Sequence, residues 1–266
     1  MKWKLSVKSG PAVFFILLFF WSSCAEKSVH TASSSGRKLI WSDEFNGNRI
    51  DETKWNIVHS KRRTDPSGND AWWHKDNAYT EKGNLVIRTS KIDGVYAGAA
   101  INTKDKFERA FGYFETRVKL QKEQGHWGAV WLFAKSVNNV GNEGRDGTEI
   151  DIFESPYVGL GKDSINVALH WDGYGAEHKK ANKVIKGMKM NDGDWHTFAV
   201  EWAPEIYRFY YDGKLVWETN EGGVCQAPLH IIISDEVGDW GKQVNIFKAN
   251  LPDYMLVDYI RVYDKK

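Results

Sequence analysis

Glu149, Asp151 and Glu154 stand close together in Asp146-Gly147-Thr148-Glu149-Ile150-Asp151-Ile152-Phe153-Glu154-Ser155, interleaved with bulky apolar residues of high strand propensity. Carboxyl groups held near one another can divide labour, one ionised as nucleophile or base and one protonated as acid. On a helix, offsets of two and five residues do not share a face. On a strand Glu149 and Asp151 do share one, whereas Glu154 lies an odd number of residues away and points to the other side. A β-bulge absorbing one residue around Ile152-Phe153 returns it to the same side. Four effective steps then separate the two glutamate Cα atoms by roughly 13 Å at about 3.3 Å per residue, and inward-leaning side chains on a curved strand close most of that gap.

The ordinary reading of clustered acids is a solvated strand face. Here no basic residue within the motif relieves Asp151, and like charges on one strand repel. Such a cost is generally tolerated only for function. Carboxyl groups about 5–5.5 Å apart serve retaining hydrolysis of glycosidic bonds, and pairs about 6.5–9.5 Å apart serve inverting hydrolysis. The spacing is compatible with retention.

The elements that must carry these acids read as strands. From Leu39 onward the apolar signal has period two in short runs bounded by Gly, Asn and Asp, as half-buried strands require. Phe114, Thr116, Val118 and Leu120 alternate with Tyr113, Glu115, Arg117 and Lys119, which predicts one core face and one solvent face. His196, Phe198, Val200 and Trp202 repeat the pattern. Asp212-Gly213 between two aromatic and aliphatic runs predicts a tight hairpin, since that dipeptide accepts positive φ. With a final strand from Met255 to Tyr263, the chain is read as all-β, two antiparallel sheets packed face to face. Strand order is not legible from the pattern.

Composition bounds the partners. Lys and Arg number 36 against 35 Asp and Glu, a formal charge of +1, which gives no electrostatic reason to expect nucleic acid or an anionic membrane. A single domain, read as a monomer, suits 266 residues. Lys2, Lys4 and Lys8 precede an apolar run from Ala12 to Trp21 ending in Ser22-Ser23-Cys24, too short to span a bilayer. Residues 1–24 are therefore read as a signal peptide. Cys24 resembles the lipid-accepting thiol of a bacterial lipobox, with Trp21 where such boxes usually carry Leu. Residues 25–36, rich in Ser and Thr, read as a flexible tether, and 37–266 as the catalytic domain. The reading is of an exported protein, on the cell surface or in the periplasm if lipidated and otherwise secreted, touching membrane only through that anchor. Cys225, then without a disulfide partner, is expected to be a buried inert thiol.

At Glu149-Ile150-Asp151-Ile152-Phe153-Glu154 the chain resembles glycoside hydrolase family 16, whose signature is a bulged Glu-x-Asp-x-x-Glu strand. The resemblance extends through Trp41-Ser42-Asp43-Glu44-Phe45-Asn46-Gly47, Gly112-Tyr113-Phe114-Glu115-Thr116-Arg117, Asp194-Trp195-His196-Thr197-Phe198 and Tyr259-Ile260-Arg261-Val262-Tyr263. It implies a β-jelly-roll sandwich with a concave cleft and retaining endo-cleavage of β-1,3- or β-1,4-linked glucans or galactans. It also implies Glu149 as nucleophile, Glu154 as general acid/base, and Asp151 assisting between them by bonding Glu149 and holding a proton on Glu154 through repulsion. Where many β-1,3-glucanases of the family carry Trp-Pro-Ala, this chain has Trp127-Gly128-Ala129, which weakens a laminarin assignment. Phe153 replaces a common methionine and is expected to alter packing beneath the site.

The same resemblance marks Trp127 and Trp131 as cleft-lining aromatics, Asn77 as a sugar-bonding residue and His170, in His170-Trp171-Asp172, as a positioning residue near Glu154, with Trp171 beside it as a substrate contact. Core packing and a surface-loop histidine are the plainer readings of these residues. Ser234 and Glu236 are further candidates for the cleft. Lys179, Lys180, Lys183, Lys186 and Lys189 crowd what reads as one loop, usually a solvated face and otherwise a feature suited to sulfated or carboxylated galactans. No cofactor is required; the resemblance allows a structural calcium near the termini, with Glu44 and Asp258 as available acids. Three functions stand open: an endo-β-1,3- or β-1,3-1,4-glucanase, an endo-β-galactosidase on agar-, porphyran- or keratan-type chains, and a non-catalytic glycan-binding lectin, against which the grouped acids argue.

Overall fold

The computed structural model describes Met1 and residues 36–156, 163–187, 189, 192–238 and 245–264. Cys24, the signal segment beyond Met1 and the tether before Gly36 lie outside the described residues.

Alternation along each strand sends every second side chain inward, and two antiparallel sheets result. In the first, neighbours run Lys214–Thr219, Ile206–Tyr211, His196–Ala203, Gly112–Lys119 and Asp253–Tyr263, whose other edge is shared by Leu39–Asp43 and Asn84–Ile92. The second runs Lys179–Lys186, Ser164–Trp171, Glu149–Glu154, His126–Phe133, Leu229–Val237 and Val95–Asn102. A short hairpin, Ser60–Thr64 with Asp70–Trp73, lies beside Val95–Asn102. Phe114, Val118, Phe198, Val200 and Trp202 from one sheet meet Val130, Leu132, Ile150, Phe153, Val167 and Ile231 from the other in one core. At about 1.5–3 kcal/mol per buried side chain, this face-to-face burial holds the sandwich. It is the jelly-roll architecture expected.

The Asp212-Gly213 hairpin forms as predicted, with φ of 44° and 73°. The strand Gly112–Lys119 departs from simple alternation, because Tyr113 and Glu115 are buried as well as Phe114 and Thr116. The hydroxyls of Tyr113 and Tyr259 both donate to the Glu115 carboxylate, at 3.3 and 3.0 Å, and roof that face over. The lysines expected on a loop instead occupy a strand, Lys179–Lys186, with Lys189 just beyond it. Cys225 is buried, its thiol pushed up by burial and donating to the Ala227 carbonyl at 3.5 Å, as an inert cysteine should be. Glu44 is held through both oxygens by Arg261, and Asp258 by Arg117 at 2.6 Å. Two acids already neutralised by guanidinium groups do not fit a calcium site.

Candidate active site

The strand Glu149–Glu154 lies between His126–Phe133 and Ser164–Trp171. Against the first, Trp131 faces Asp151 and Val130 faces Phe153, leaving Ile152 unmatched; against the second, Asp151 faces Ala168 and Glu154 faces Asn166. This is the bulge that the odd offset of Glu154 demanded. Ile150, Ile152 and Phe153 all enter the core, the Phe153 ring lying 4.3 Å from that of Phe198. Glu149, Asp151 and Glu154 are thereby left to the opposite face. The core contacts of Ile152 and Phe153 hold the bulge in place.

Burial dominates the electrostatics of the group. It is the leading cause raising Glu149 to about 7, opposed by a hydrogen bond from the Tyr174 hydroxyl and by the charges of Arg62 and Arg63. It also leads in raising Glu154 to about 8, opposed by Asn166 and reinforced by Glu149 and Glu236. Asp151 is pushed well up by burial and then by the two glutamates. Repulsion among the acids, the cause expected from sequence, is thus second to desolvation. The hydrogen bond expected between Asp151 and Glu149 is absent from the described contacts: Asp151 Oδ2 is buried without a hydrogen-bond partner, 3.5 Å from His170 Nε2.

The companions divide. His170 stands opposite Glu149 rather than near Glu154, and its Nδ1 lies 2.9 Å from His178 Nε2. Burial, then His178 and Lys180, lower its pKa to about 4, so it is neutral at ordinary pH. The neighbour of Glu154 is Asn166, which donates to it at 2.9 Å and is itself oriented by Asn182 at 3.0 Å. Trp131 lines a chamber of about 880 Å³ together with Glu149, Tyr174, Trp73 and Phe133, and its indole N–H donates to Ser234 at 3.1 Å. Trp127 is buried, with the Arg63 guanidinium 5.1 Å from its ring centre.

Asn77 does not meet the expectation of a sugar contact. It is wholly buried, its amide donates to the Ala97 and Gly98 carbonyls, and its oxygen accepts from Arg88 and Ser90. All four of its hydrogen-bonding positions are filled by the protein. Trp171 is likewise a core residue, its ring pressed against Gly222, where a Cβ would come within 2.4 Å of it. Gly128, the departure from Trp-Pro-Ala, faces inward: a Cβ there would meet Met255 Sδ at 2.3 Å. The glycine therefore makes room for Met255 and Gln121 beneath the sheet.

Several residues of the site carried no local signal. Arg62 and Arg63, on the short hairpin, both bind Glu236 of the strand Leu229–Val237. Beneath the cleft His126 is fully buried between Asp235, 2.8 Å from its Nδ1, and Asp253, 3.3 Å from its Nε2. Burial alone would lower this imidazole, but the two aspartates override it and raise its pKa to about 10. The ion group ties three strands together, through Asp235 on the strand that also carries Glu236. Among the described residues, Glu149, Asp151 and His170 form the one group with ligand atoms, all within 4.8 Å, suited to a cation. A cation held there would compete with proton transfer by the same carboxylates.

A two-sheet antiparallel sandwich with carboxylates gathered on the outer face of a bulged strand defines the protein as one of the β-sandwich glycoside hydrolases. The chain belongs to glycosyl hydrolases family 16, whose sequence profile matches residues 66–245. It is similar to a glucan endo-1,3-β-glucosidase A1 of Niallia circulans, 26% identical over 87% of this chain and 38% of that protein. A keratan-sulfate endo-1,4-β-galactosidase of Sphingobacterium multivorum is 28% identical over 88% of this chain and 56% of its own. The chain thus spans well under two thirds of either relative. The laminarinase catalytic domain of Thermotoga maritima superposes with a TM-score of 0.71 at 27% identity, covering 86% of this chain and 99% of that one.

Proposed function

We propose that the protein is an endo-acting, retaining β-glycanase, with β-1,3- or mixed β-1,3-1,4-glucan as the first substrate reading. The observation that carries this is the bulged strand with Glu149, Asp151 and Glu154 on one face, where burial raises the proton affinity of both glutamates. Glu149 in its ionised form attacks the anomeric carbon, and Glu154 in its protonated form, held by Asn166, donates to the leaving oxygen. Formation of the glycosyl ester removes the Glu149 charge, which lowers the proton affinity of Glu154 for its second task, taking a proton from the attacking water. Asp151 is the assisting carboxyl between them, its own proton affinity raised by burial and by both glutamates. Endo-cleavage follows the endo-acting relatives. A lectin would have no use for carboxylates whose burial so disfavours their ionisation.

Galactan chains are the second reading, favoured by the basic residues of the chamber. Digestion of laminarin, lichenan, agarose, porphyran and keratan followed by product chromatography tests substrate and endo mode. Proton NMR of the first product should show the β anomer before mutarotation. An initial α anomer would remove Glu149 as nucleophile.

The cellular setting proposed is export followed by lipidation at Cys24, supported by the basic start, short apolar run and Ser22-Ser23-Cys24 ending. A fatty-acid probe should label the wild type in a bacterial host. Equal labelling of Cys24→Ala would overturn this.

A further inference from the structure

Sugars bind aromatic platforms through their C–H faces, and such a platform must be open. Two of the indoles flanking the cleft are not. The Arg62 guanidinium carbon lies 4.5 Å from the ring centre of Trp73 and that of Arg63 lies 5.1 Å from the ring centre of Trp127. Both indoles are otherwise buried. What a passing chain meets at these two positions is therefore a pair of planar cations.

Both cations are held from behind. Arg62 donates through Nε and Nη2 to Glu236 Oε1, and Arg63 through Nε to Glu236 Oε2. Glu236 is in turn fixed on the strand that carries Ser234 and Asp235. The anchoring engages one edge of each guanidinium. Nη1 of Arg62 and both Nη groups of Arg63 carry no hydrogen bond among the described residues, and the two side chains remain 34% and 46% exposed. Lys104 and Lys135 line the same chamber as Arg62, Arg63 and Glu149, as do the acids Asp105 and Glu108. Arg63, with both Nη groups unengaged among the described residues, matches the paired oxygens of a sulfate ester or carboxylate, to which it can offer two parallel charge-assisted bonds, and Arg62 adds the donors of Nη1.

We propose that Arg62 and Arg63, stacked on Trp73 and Trp127 and braced by Glu236, form a subsite for an anionic substituent, a sulfate ester or a carboxylate, on the β-linked chain beside the scissile bond. This rests on the β-glycanase reading and narrows it, moving the preferred substrate from plain to acidic β-linked chains. The competing role for the pair is to offset the charge of Glu149 and Glu154, which both arginines influence in the first case and Arg63 in the second. That role is blind to substituents on the substrate.

The test uses the full chain on matched sets: one β-1,3-glucan and one β-1,4-linked galactan, each plain, sulfated and carboxymethylated. On whichever backbone is cut, the anionic form should be turned over at least about tenfold more efficiently in kcat/KM than the plain form, the size expected of a charge-assisted bidentate contact. The better of the sulfated and carboxymethylated arms names the anion. Arg63→Gln and Arg62→Gln should lower that ratio to below about threefold, with Arg63→Lys intermediate because it keeps the charge and loses the fork. Melting temperatures would separate loss of recognition from loss of fold. If plain chains are cut as well as anionic ones, or the arginine variants lose both in equal proportion, the subsite is overturned while the β-glycanase reading stands. If no chain is cut, that reading fails instead. Binding of the sulfated and carboxymethylated chains then decides the subsite, supporting it if the arginine variants bind more weakly and overturning it if they do not.

Discussion

Replacing Glu149 by Gln should stabilise the fold while removing activity, and the gain should depend on pH in one direction only. Burial raises this carboxyl from 4.5 to about 7 in the folded protein. A group with a raised folded-state pKa favours folding while protonated, and loses that contribution as pH rises from the unfolded value through the folded one. At about 1.36 kcal/mol per pKa unit, the wild type forfeits about 3 kcal/mol above pH 7 relative to its acid form. Glutamine imitates the protonated carboxyl and avoids the loss. In a domain of this size each kcal/mol moves Tm by roughly 2–4 °C, so Glu149→Gln should melt at least about 5 °C higher than wild type near pH 8.5. Near pH 4.5, where the folded carboxyl is already protonated, the difference should shrink to under about 0.5 kcal/mol. Calorimetric melts across this range, with turnover measured alongside, make the comparison. A variant that is equally or less stable than wild type at alkaline pH would refute the argument that desolvation sets the acidity of Glu149.

Turnover should be bell-shaped in pH, rising as Glu149 ionises at about 7 and falling as Glu154 loses its proton at about 8, the apparent values belonging to the coupled group; a flat profile across this range would count against the assignment. Tyr174→Phe removes the hydrogen bond that favours the ionised Glu149, so the acid limb should move to higher pH and kcat/KM should fall about tenfold on that limb, with little change on the alkaline side. His126→Phe leaves Asp235 and Asp253 buried without their cation, which should cost roughly 3–5 kcal/mol in denaturant unfolding. The His126 contribution is fully present below its unfolded value of 6.5 and fades as pH rises through about 10, so the gap between variant and wild type should narrow in strong alkali.

Much of this protein is local and could be read from the chain. The period-two runs, the Asp212-Gly213 turn and the odd offset of Glu154 follow from covalent geometry, because a strand alternates faces whatever surrounds it. The bulge was legible for the same reason, since only one extra residue brings the three acids together. Which face looks into the cleft was not local. Asn77 and Trp171 stand in segments resembling substrate contacts, yet the 3-10 turn Lys75–Asn77 directs one toward Arg88 and Ser90 and the strand Ser164–Trp171 turns the other into the core. His170 answers to Asp151 because it pairs opposite Glu149, a neighbour set by the strand after the motif. The fork of Arg62 and Arg63 on Glu236 spans more than 170 residues of chain, a distance over which no sequence pattern acts. Acidity was decided last, because the leading influence on Glu149, Asp151 and Glu154 is the exclusion of water, and water is excluded only when the sheets have closed and the hairpin and Tyr174 lie over the strand.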